Sequence, residues 1–206
     1  VHSPYSVSAQ LRHSVEQHRR WRFMYQWAKH EARLRRGIPP ELTVLFPVQA
    51  MDASVTLSYE NVLDQYFSNF HLYVLDATPG RQATETLQKI PDPRVGFVPV
   101  DGSLPTSMYT VTQQTTTPFL FFWSQGPLLL DSQFLQVLME NFKKPDHLHH
   151  LAVSFPNCRL GPLIQFRDEP APEGPVFFHL YRTAKLRHVW ARPMSYPNPF
   201  TIGRMV

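Results

Sequence analysis

The spacing of apolar residues changes near residue 41, and this change divides the chain into two regions. The first region, "LRHSVEQHRRWRFMYQWAKHEARLRRG", mixes apolar and basic positions without a proline. It ends at Gly37, and Pro39 and Pro40 follow just beyond. Glycine after the last periodic residue, with proline shortly after it, is a helix stop signal. The pattern predicts one helix from about residue 8 to residue 36.

Beyond residue 41, short continuous apolar runs alternate with segments that have helical spacing. Continuous apolar runs predict strands buried on both faces, and the segments between them predict helices that carry the chain back across the sheet. The predicted strands are 42–48, 70–76, 95–100, 119–123 and 150–155. The predicted helices are 54–67, 80–90, 105–115 and 131–144, the last with Asp131 as its N-cap.

The chain becomes rich in proline after residue 156. The segment "RLGPLIQFRDEPAPEGPVFFHLYR" predicts two strands around a loop, and "TAKLRHVW" (183–190) predicts a short helix. The final segment, "ARPMSYPNPFTIGRMV", has three prolines and no period, which predicts an extended tail. We therefore divide the chain into a basic helical arm (1–40), a domain (41–190) and a tail (191–206). The domain is expected to be α/β, with a mainly parallel, Rossmann-like sheet covered by helices on both faces.

Composition places the chain among globular proteins rather than disordered ones, because 43% of its 206 residues are hydrophobic and only 17% are charged. No apolar run approaches the roughly 20 residues that a membrane-spanning helix needs, so we expect no membrane span. The single cysteine, Cys158, excludes an intrachain disulfide and a cysteine-based zinc cluster. Such cysteine usage favours a reducing compartment, such as the cytosol or an organelle matrix.

The net charge of +4 is concentrated in the arm, because residues 11–36 alone carry +6 and the rest of the chain sums to −2. The basic residues of this stretch are Arg12, Arg19, Arg20, Arg22, Lys29, Arg33, Arg35 and Arg36. Two interpretations stay open. The helix could pack its aromatic side on the domain and leave its arginines in solvent. Alternatively, the arm binds RNA or an acidic partner, because arginine pairs with phosphate and aromatic rings can stack on bases.

The stretch from Leu42 to about Trp190 resembles the family 2 glycosyltransferases, which transfer sugars from nucleotide donors and have the GT-A fold. "LTVLFPVQAMDASVTLSYENVLDQYFSNFHLYVLDATPG" looks like the family's first strand, first helix and second strand. "TPFLFFWSQGPLLLDSQFLQVLMENF" looks like its fourth strand, metal motif and following helix. "GPVFFHLYRTAKLRHVW" looks like its late strand, arginine and short helix. The resemblance covers about 150 residues and implies a GT-A-like fold.

The same resemblance locates the family's D-x-D metal motif at Trp123, Ser124 and Gln125, none of which carries a charge. A divalent cation that stabilises the diphosphate leaving group needs carboxylate ligands, which these positions do not supply. The nucleotide-contacting acid corresponds to Asp76, but Ala77 stands where the family has a second acid. We expect Trp123 to be buried at the strand end and Asp76 to be a vestige of the nucleotide site.

Two further positions implied by the resemblance lack the necessary groups. The donor loop corresponds to 106–117, which contains no basic residue. The catalytic base corresponds to the tail, which contains no aspartate or glutamate. We therefore expect a degenerate, inactive member of this fold, with no catalytic residue, no bound metal and no cofactor.

Other candidate sites have simpler interpretations. His147, His149 and His150 lie near Asp146 and could bind a metal, but histidines are often ordinary surface residues. Cys158 could be a nucleophile, although an inert thiol is more common. Asp76 could act as an acid, or it could cap the turn "DATPG".

These observations favour a non-catalytic, glycosyltransferase-like pseudoenzyme that is a structural subunit of a large assembly. By analogy, a basic arm on a near-neutral body is typical of ribonucleoprotein subunits, such as those of a mitochondrial ribosome. The expected partners are other protein subunits, and RNA through the arm. The expected location is the mitochondrial matrix, with the cytoplasm as the alternative.

Two other functions stay open. The first is a metal-independent glycosyltransferase that neutralises the diphosphate with basic side chains, for which Arg81, Arg182 and Arg192 are the candidates. The second is a sugar- or nucleotide-binding module without turnover, which rests on Asp76 alone.

Overall fold

The computed structural model describes residues 4–123, 131–143, 150–154 and 176–190. A long helix, α1 (Pro4–Arg35), precedes the α/β body. Helix α1 ends as the sequence predicts: Gly37 has a φ of 63°, and the Ile38 amide donates to the Arg33 carbonyl at 3.0 Å. This left-handed glycine and backward hydrogen bond form a common helix terminator. The predicted basic N-terminal helix is confirmed, and it begins about four residues earlier than expected.

The body contains a six-stranded sheet with the strand order β3-β2-β1-β4-β6-β5. Its strands are β1 (Leu42–Val48), β2 (Phe70–Asp76), β3 (Val95–Pro99), β4 (Phe119–Trp123), β5 (His150–Ser154) and β6 (Val176–Arg182). Strands β1 to β4 pair in parallel, whereas β6 runs antiparallel to both β4 and β5. The expected mainly parallel α/β sheet is therefore confirmed, with one antiparallel strand inserted near its end.

Helices cover both faces of the sheet. The helices of the body are α2 (Ala53–Leu63), α3 (Gln82–Leu87), α4 (Leu104–Gln114), α5 (Phe134–Lys143) and α6 (Thr183–Trp190). Alternate strand residues point to opposite faces, so Val44 and Phe46 pack with α2, α3 and α5, whereas Leu45 packs with α4 and α6. No helix within the described residues combines the length and apolarity that crossing a membrane requires.

Helix α2 is shorter than predicted because the residues after it bond to α5 and to the turn before α5 instead of extending the helix. The Tyr66 amide donates to the Ser132 carbonyl at 2.8 Å. The Gln65 side chain donates to the Asp131 carbonyl at 3.0 Å and accepts from the Leu135 amide at 3.0 Å. Asp131 caps a turn before α5, since its carboxylate accepts from the Gln133 amide, and the helix itself starts at Phe134.

The predicted helix 80–90 is divided in the structure. A 3₁₀ turn, Pro79–Arg81, precedes α3, and Gly80 and Arg81 both have a positive φ. The late strand and helix at 176–190 are as predicted. The first of the two predicted late strands and the predicted tail 191–206 lie outside the described residues.

Helix α1 packs against α2 and the loop that follows it through polar side chains. Arg19 Nε contacts Glu60 Oε1 at 2.6 Å, and Arg22 Nη1 contacts Asp64 Oδ1 at 2.9 Å. Arg33 donates to the carbonyl and hydroxyl of Ser68 at 2.6 and 2.9 Å. Large apolar side chains of α1 are instead exposed, as Trp21 (73%) and Trp27 (49%) illustrate. The interpretation that the aromatic side packs on the domain while the arginines face solvent is therefore wrong.

Candidate functional site

The carboxyl edge of the sheet, where β1 to β4 end, is the place at which ligands bind in sheets of this type. Val48 pairs with Asp76, and Asp76 pairs with Pro99, so these three strands end side by side. The pairing of β1 with β4 ends earlier, at Leu45 and Phe122. Trp123, the last residue of β4, consequently lies deeper in the body than the ends of the other strands.

Asp76 is almost completely buried, and both of its carboxylate oxygens are engaged within the chain. Oδ1 accepts from the amide and hydroxyl of Thr78 at 2.9 and 2.5 Å. Oδ2 accepts from the amide and hydroxyl of Thr84 at 2.8 and 2.7 Å. Burial opposes ionisation, but these four hydrogen bonds outweigh it and hold the pKa of Asp76 below its usual range. The carboxylate therefore caps the turn and the start of α3, as one of the two sequence interpretations proposed.

Trp123 is 1% exposed, which confirms the expectation that it is buried. Its ring meets Phe121 and Phe134 edge-on, with ring centroids 5.8 and 6.2 Å apart. An indole cannot ligate a hard cation, which prefers oxygen ligands. Trp123 therefore cannot serve as a ligand of a divalent cation. Ser124 and Gln125, the other two positions of the predicted metal motif, lie outside the described residues.

Of the basic residues proposed for a metal-independent enzyme, the two that the structure describes, Arg81 and Arg182, lie apart. Arg81 lies at the carboxyl edge and contacts Asp101 at 3.6 Å between Nη2 and Oδ1. Arg182 pairs with Phe119 at the start of β4, because β6 runs antiparallel. Its guanidinium covers the Phe119 and Phe142 rings at 5.6 and 5.5 Å. The expectation that Arg182 serves the strand ends is therefore wrong, and Arg192 lies outside the described residues.

A cavity of about 270 Å³ lies between α4 and the ends of β2 and β3. Thr106, Thr110, Gln114 and Asp101 supply most of its polar groups, and none of the described residues that line it is basic. Cationic side chains and metals commonly bind diphosphates, and the described lining offers no cationic side chain.

A second cavity, of about 600 Å³, runs between α1 and the end of α2. Exposed aromatic residues, among them Trp21, Tyr25 and Tyr66, line it together with Lys29. Arg22 and Gln26 are buried at its inner side, where Arg22 Nε and Nη2 and Gln26 Oε1 have no hydrogen-bond partner. The sequence interpretation did not find this groove.

A signal for this arrangement is nevertheless present in the sequence. The polar residues that meet the body recur at helical spacing, at Arg19, Arg22, Gln26, Lys29 and Arg33. Two acids, Glu60 in α2 and Asp64 at its C-cap, are also one turn apart and contact Arg19 and Arg22. Matching a polar stripe of one helix to the acids of another would have oriented α1.

The eight basic residues predicted to bind RNA or an acidic partner divide into three groups. Arg19, Arg22, Lys29 and Arg33 contact the body of the same chain. Arg35 pairs with Glu31 on its own helix at 3.0 Å. The remaining three, Arg12, Arg20 and Arg36, have exposed side chains. RNA binding by the arm stays a prediction, and these last three are its best-placed residues.

The remaining candidates gain no support as sites. His150 begins β5, whereas His147, His149 and Cys158 lie outside the described residues. Among the described residues, no group of three or more histidine, cysteine, aspartate or glutamate side chains could hold a metal ion.

Neither a family model nor a curated protein matches this chain. Solved structures do match it in fold. One is a CMP:2-keto-3-deoxy-manno-octonic acid synthetase complexed with CTP, with a TM-score of 0.50 and 13% identity over 76% of this chain and 80% of that chain. Another is a mannosyltransferase from Pyrobaculum calidifontis in complex with GDP-Man and Mn²⁺, with a TM-score of 0.56 and 11% identity over 73% of this chain and 47% of that one.

A third match is the 4-diphosphocytidyl-2C-methyl-D-erythritol synthase of Anaerococcus prevotii, with a TM-score of 0.51 and 6% identity over 76% of this chain and 78% of that one. The chain shares the GT-A-like α/β fold of these structures. At these identities the likeness establishes the fold alone, and it confirms the expected fold class. In this chain, Asp76 and Trp123 at the carboxyl edge of that fold are both buried.

Proposed function

We propose that this chain is a non-catalytic, GT-A-like domain that serves as a structural subunit of a larger assembly. The observation that carries the proposal is the engagement of Asp76. All four of its hydrogen bonds come from Thr78 and Thr84, so no acceptor site remains for a ribose or base. A nucleotide would have to break these bonds in order to be bound by this acid, and each is a bond to a charged group.

The burial of Trp123 supports the same proposal. In a nucleotide-sugar transferase, a cation at this strand end would offset the charge of the leaving diphosphate. Here the strand end is filled by the Trp123, Phe121 and Phe134 rings. Trp123 therefore contributes to the packing of the body and cannot stabilise the charge of a diphosphate.

We propose further that the assembly is a ribonucleoprotein, specifically one such as a mitochondrial ribosome, in the mitochondrial matrix. Support comes from the charge of +6 on residues 11–36 and from the exposure of Arg12, Arg20 and Arg36. Exposed basic residues distributed along one helical arm are a common feature of nucleic-acid-binding proteins. The partners would be RNA and neighbouring protein subunits.

A metal-independent glycosyltransferase is the second candidate, and Arg81 is the observation that favours it. Its side chain is 60% exposed at the carboxyl edge, where a diphosphate would lie in an enzyme of this fold. Its contact with Asp101, however, lowers the local positive charge. Among the described residues Arg81 is the one basic candidate at this edge, which gives the enzyme weaker support than the structural role has.

Sedimentation tests the assembly proposal. We expect an epitope-tagged full chain, in lysate of its own cells, to sediment with a large particle and to move to light fractions after RNase treatment. Sedimentation of the tagged chain in light fractions both before and after RNase would contradict the proposal.

The salt dependence of RNA binding tests the role of the arm. Each neutralised phosphate adds about 0.7–0.9 to the slope of log affinity against log salt, so three exposed arginines predict a slope of about −2 to −3. Replacing Arg12, Arg20 and Arg36 with glutamine should abolish most of this slope, whereas Lys185→Gln on α6 should not. A slope that the triple substitution leaves unchanged would remove the arm from the RNA interface.

A further inference from the structure

The outer face of α1, on the side away from the body, carries a stripe of three apolar and three polar residues, five of which are exposed in the part of the chain that the structure describes. Its residues are Gln17, Arg20, Met24, Trp27, Glu31 and Leu34. They follow one another at alternating intervals of three and four, which is the spacing at which two helices pack side by side. The apolar members are well exposed: Met24 at 61%, Leu34 at 66% and Trp27 close to half.

This outer stripe is accessible to a partner because the body lies on the other side of the helix. Arg22, Gln26 and Arg33 meet the body, and at about 100° per residue Met24 lies about 200° around the helix from Arg22. A second helix along the stripe would therefore not encounter the body of the first chain. In a pair related by a twofold axis, the two bodies would lie on opposite outer sides.

The stripe is complementary to itself when two helices run antiparallel. If Met24 lies opposite Trp27 of the second copy, then Arg20 lies opposite Glu31 and Gln17 lies opposite Leu34. The twofold axis repeats each contact, which gives two Arg20–Glu31 pairs and two contacts between a methionine sulfur and an indole. Glu31 is already held on this face by its 3.0 Å ion pair with Arg35.

A parallel arrangement lacks this complementarity. It would bring Arg20 against Arg20 and Glu31 against Glu31, and like charges at an interface cost several kcal/mol. We propose that a second copy of this chain occupies the outer face of α1, forming an antiparallel α1–α1 dimer in which Arg20 pairs with Glu31 of the other copy. The dimer does not rest on the proposed ribonucleoprotein role, although it engages Arg20 and would leave Arg12 and Arg36 as the exposed arginines for RNA.

Charge reversal tests the register directly. Full-length wild-type protein, Arg20→Glu, Glu31→Arg and the double variant Arg20→Glu/Glu31→Arg are compared by sedimentation equilibrium up to high micromolar concentration. Each single reversal sets two like-charge pairs against each other and should weaken dimerisation at least about tenfold. The double variant exchanges the two charges and should restore dimerisation to near the wild-type constant.

Lys185→Glu is the matched control, because it reverses an exposed charge on α6, an element other than the helix that carries the outer stripe. It should dimerise as the wild type does. Circular dichroism and melting temperature establish that each variant is folded, and Trp27→Ala supplies an independent loss of the apolar centre. A wild type that stays monomeric, single reversals that dimerise normally, or a double variant that fails to recover would each overturn the proposal.

Discussion

Asp76 and Trp123 lie at the carboxyl edge of the sheet and are almost completely buried, whereas Trp21 and Trp27 lie on α1 and are largely exposed. The first pair uses its polar and aromatic groups within the chain, through four hydrogen bonds and two ring contacts. The second pair offers aromatic surface to other molecules. This contrast is the basis of our proposal that partners bind to the arm rather than to the carboxyl edge of the sheet.

The largest expected effect is on folding stability at the carboxyl edge. Trp123→Ala should lower the free energy of unfolding by about 3–5 kcal/mol, because it removes a fully buried ring and leaves a cavity. Urea denaturation monitored by circular dichroism measures the change. Trp21→Ala removes an exposed indole and should change stability by no more than about 0.5 kcal/mol. Equal losses in the two variants would erase the distinction between the regions.

Asp76→Asn should lower the free energy of unfolding by about 2–3 kcal/mol. The amide nitrogen of asparagine would face Thr78 or Thr84 donors, so hydrogen bonds to a charged acceptor are lost and a buried donor is left unpaired. Asp101→Asn, at an exposed position of the same edge, is the control and should be nearly neutral. If Asp76→Asn left the free energy of unfolding unchanged, the carboxylate would not be needed to stabilise the turn.

The acid sensitivity of the wild type should also depend on Asp76. Its pKa is lowered in the folded state, so its stabilisation is present above the unfolded-state pKa of about 3.9 and is lost as the pH falls through the lower folded value. The free energy of unfolding of Asp76→Asn should consequently fall less steeply below about pH 4. Parallel pH profiles of the two proteins would contradict this linkage.

A smaller effect is expected where α1 meets the body. Arg22→Ala breaks the contact with Asp64, but Asp64 is partly solvated and two nitrogens of Arg22 are already unpaired. We expect a loss of about 1–2 kcal/mol, together with faster hydrogen exchange along α1. Arg36→Ala, beyond the end of the helix, should leave the exchange of α1 unchanged. If Arg22→Ala and Arg36→Ala have the same hydrogen exchange along α1, the contact between Arg22 and Asp64 does not hold α1 against the body.

The strands and the short late helix were predictable because continuous apolar runs identify buried strands wherever they pair. Strands 42–48, 70–76 and 119–123 and helix 183–190 have the bounds that the pattern predicts. The end of α2 was not predictable, since Gln65 and Tyr66 bond to residues about 70 positions later in the chain. Local spacing carries no information about such distant partners.

The candidate site was predictable in part. The burial of Trp123 and the capping role of Asp76 both follow from their places as the last residues of apolar strands. The location of Arg182 was not, because it depends on the antiparallel direction of β6, which no local pattern encodes. The orientation of α1 was predictable in principle, because the polar residues that contact the body recur at helical spacing. We instead predicted that the aromatic residues would contact the body, and this was wrong.

The most direct test of the central claim is the thermal stability of the full chain with nucleotide sugars, each in the presence and absence of Mn²⁺. A ligand at about 100 times its dissociation constant would stabilise the folded state by about 2.7 kcal/mol, which is readily seen as a higher melting temperature. We predict no such shift with uridine, guanosine or cytidine diphosphate or monophosphate sugars, because Asp76 and Trp123 are engaged inside the body. A clear, saturable and Mn²⁺-dependent rise in melting temperature with any of them would contradict the account.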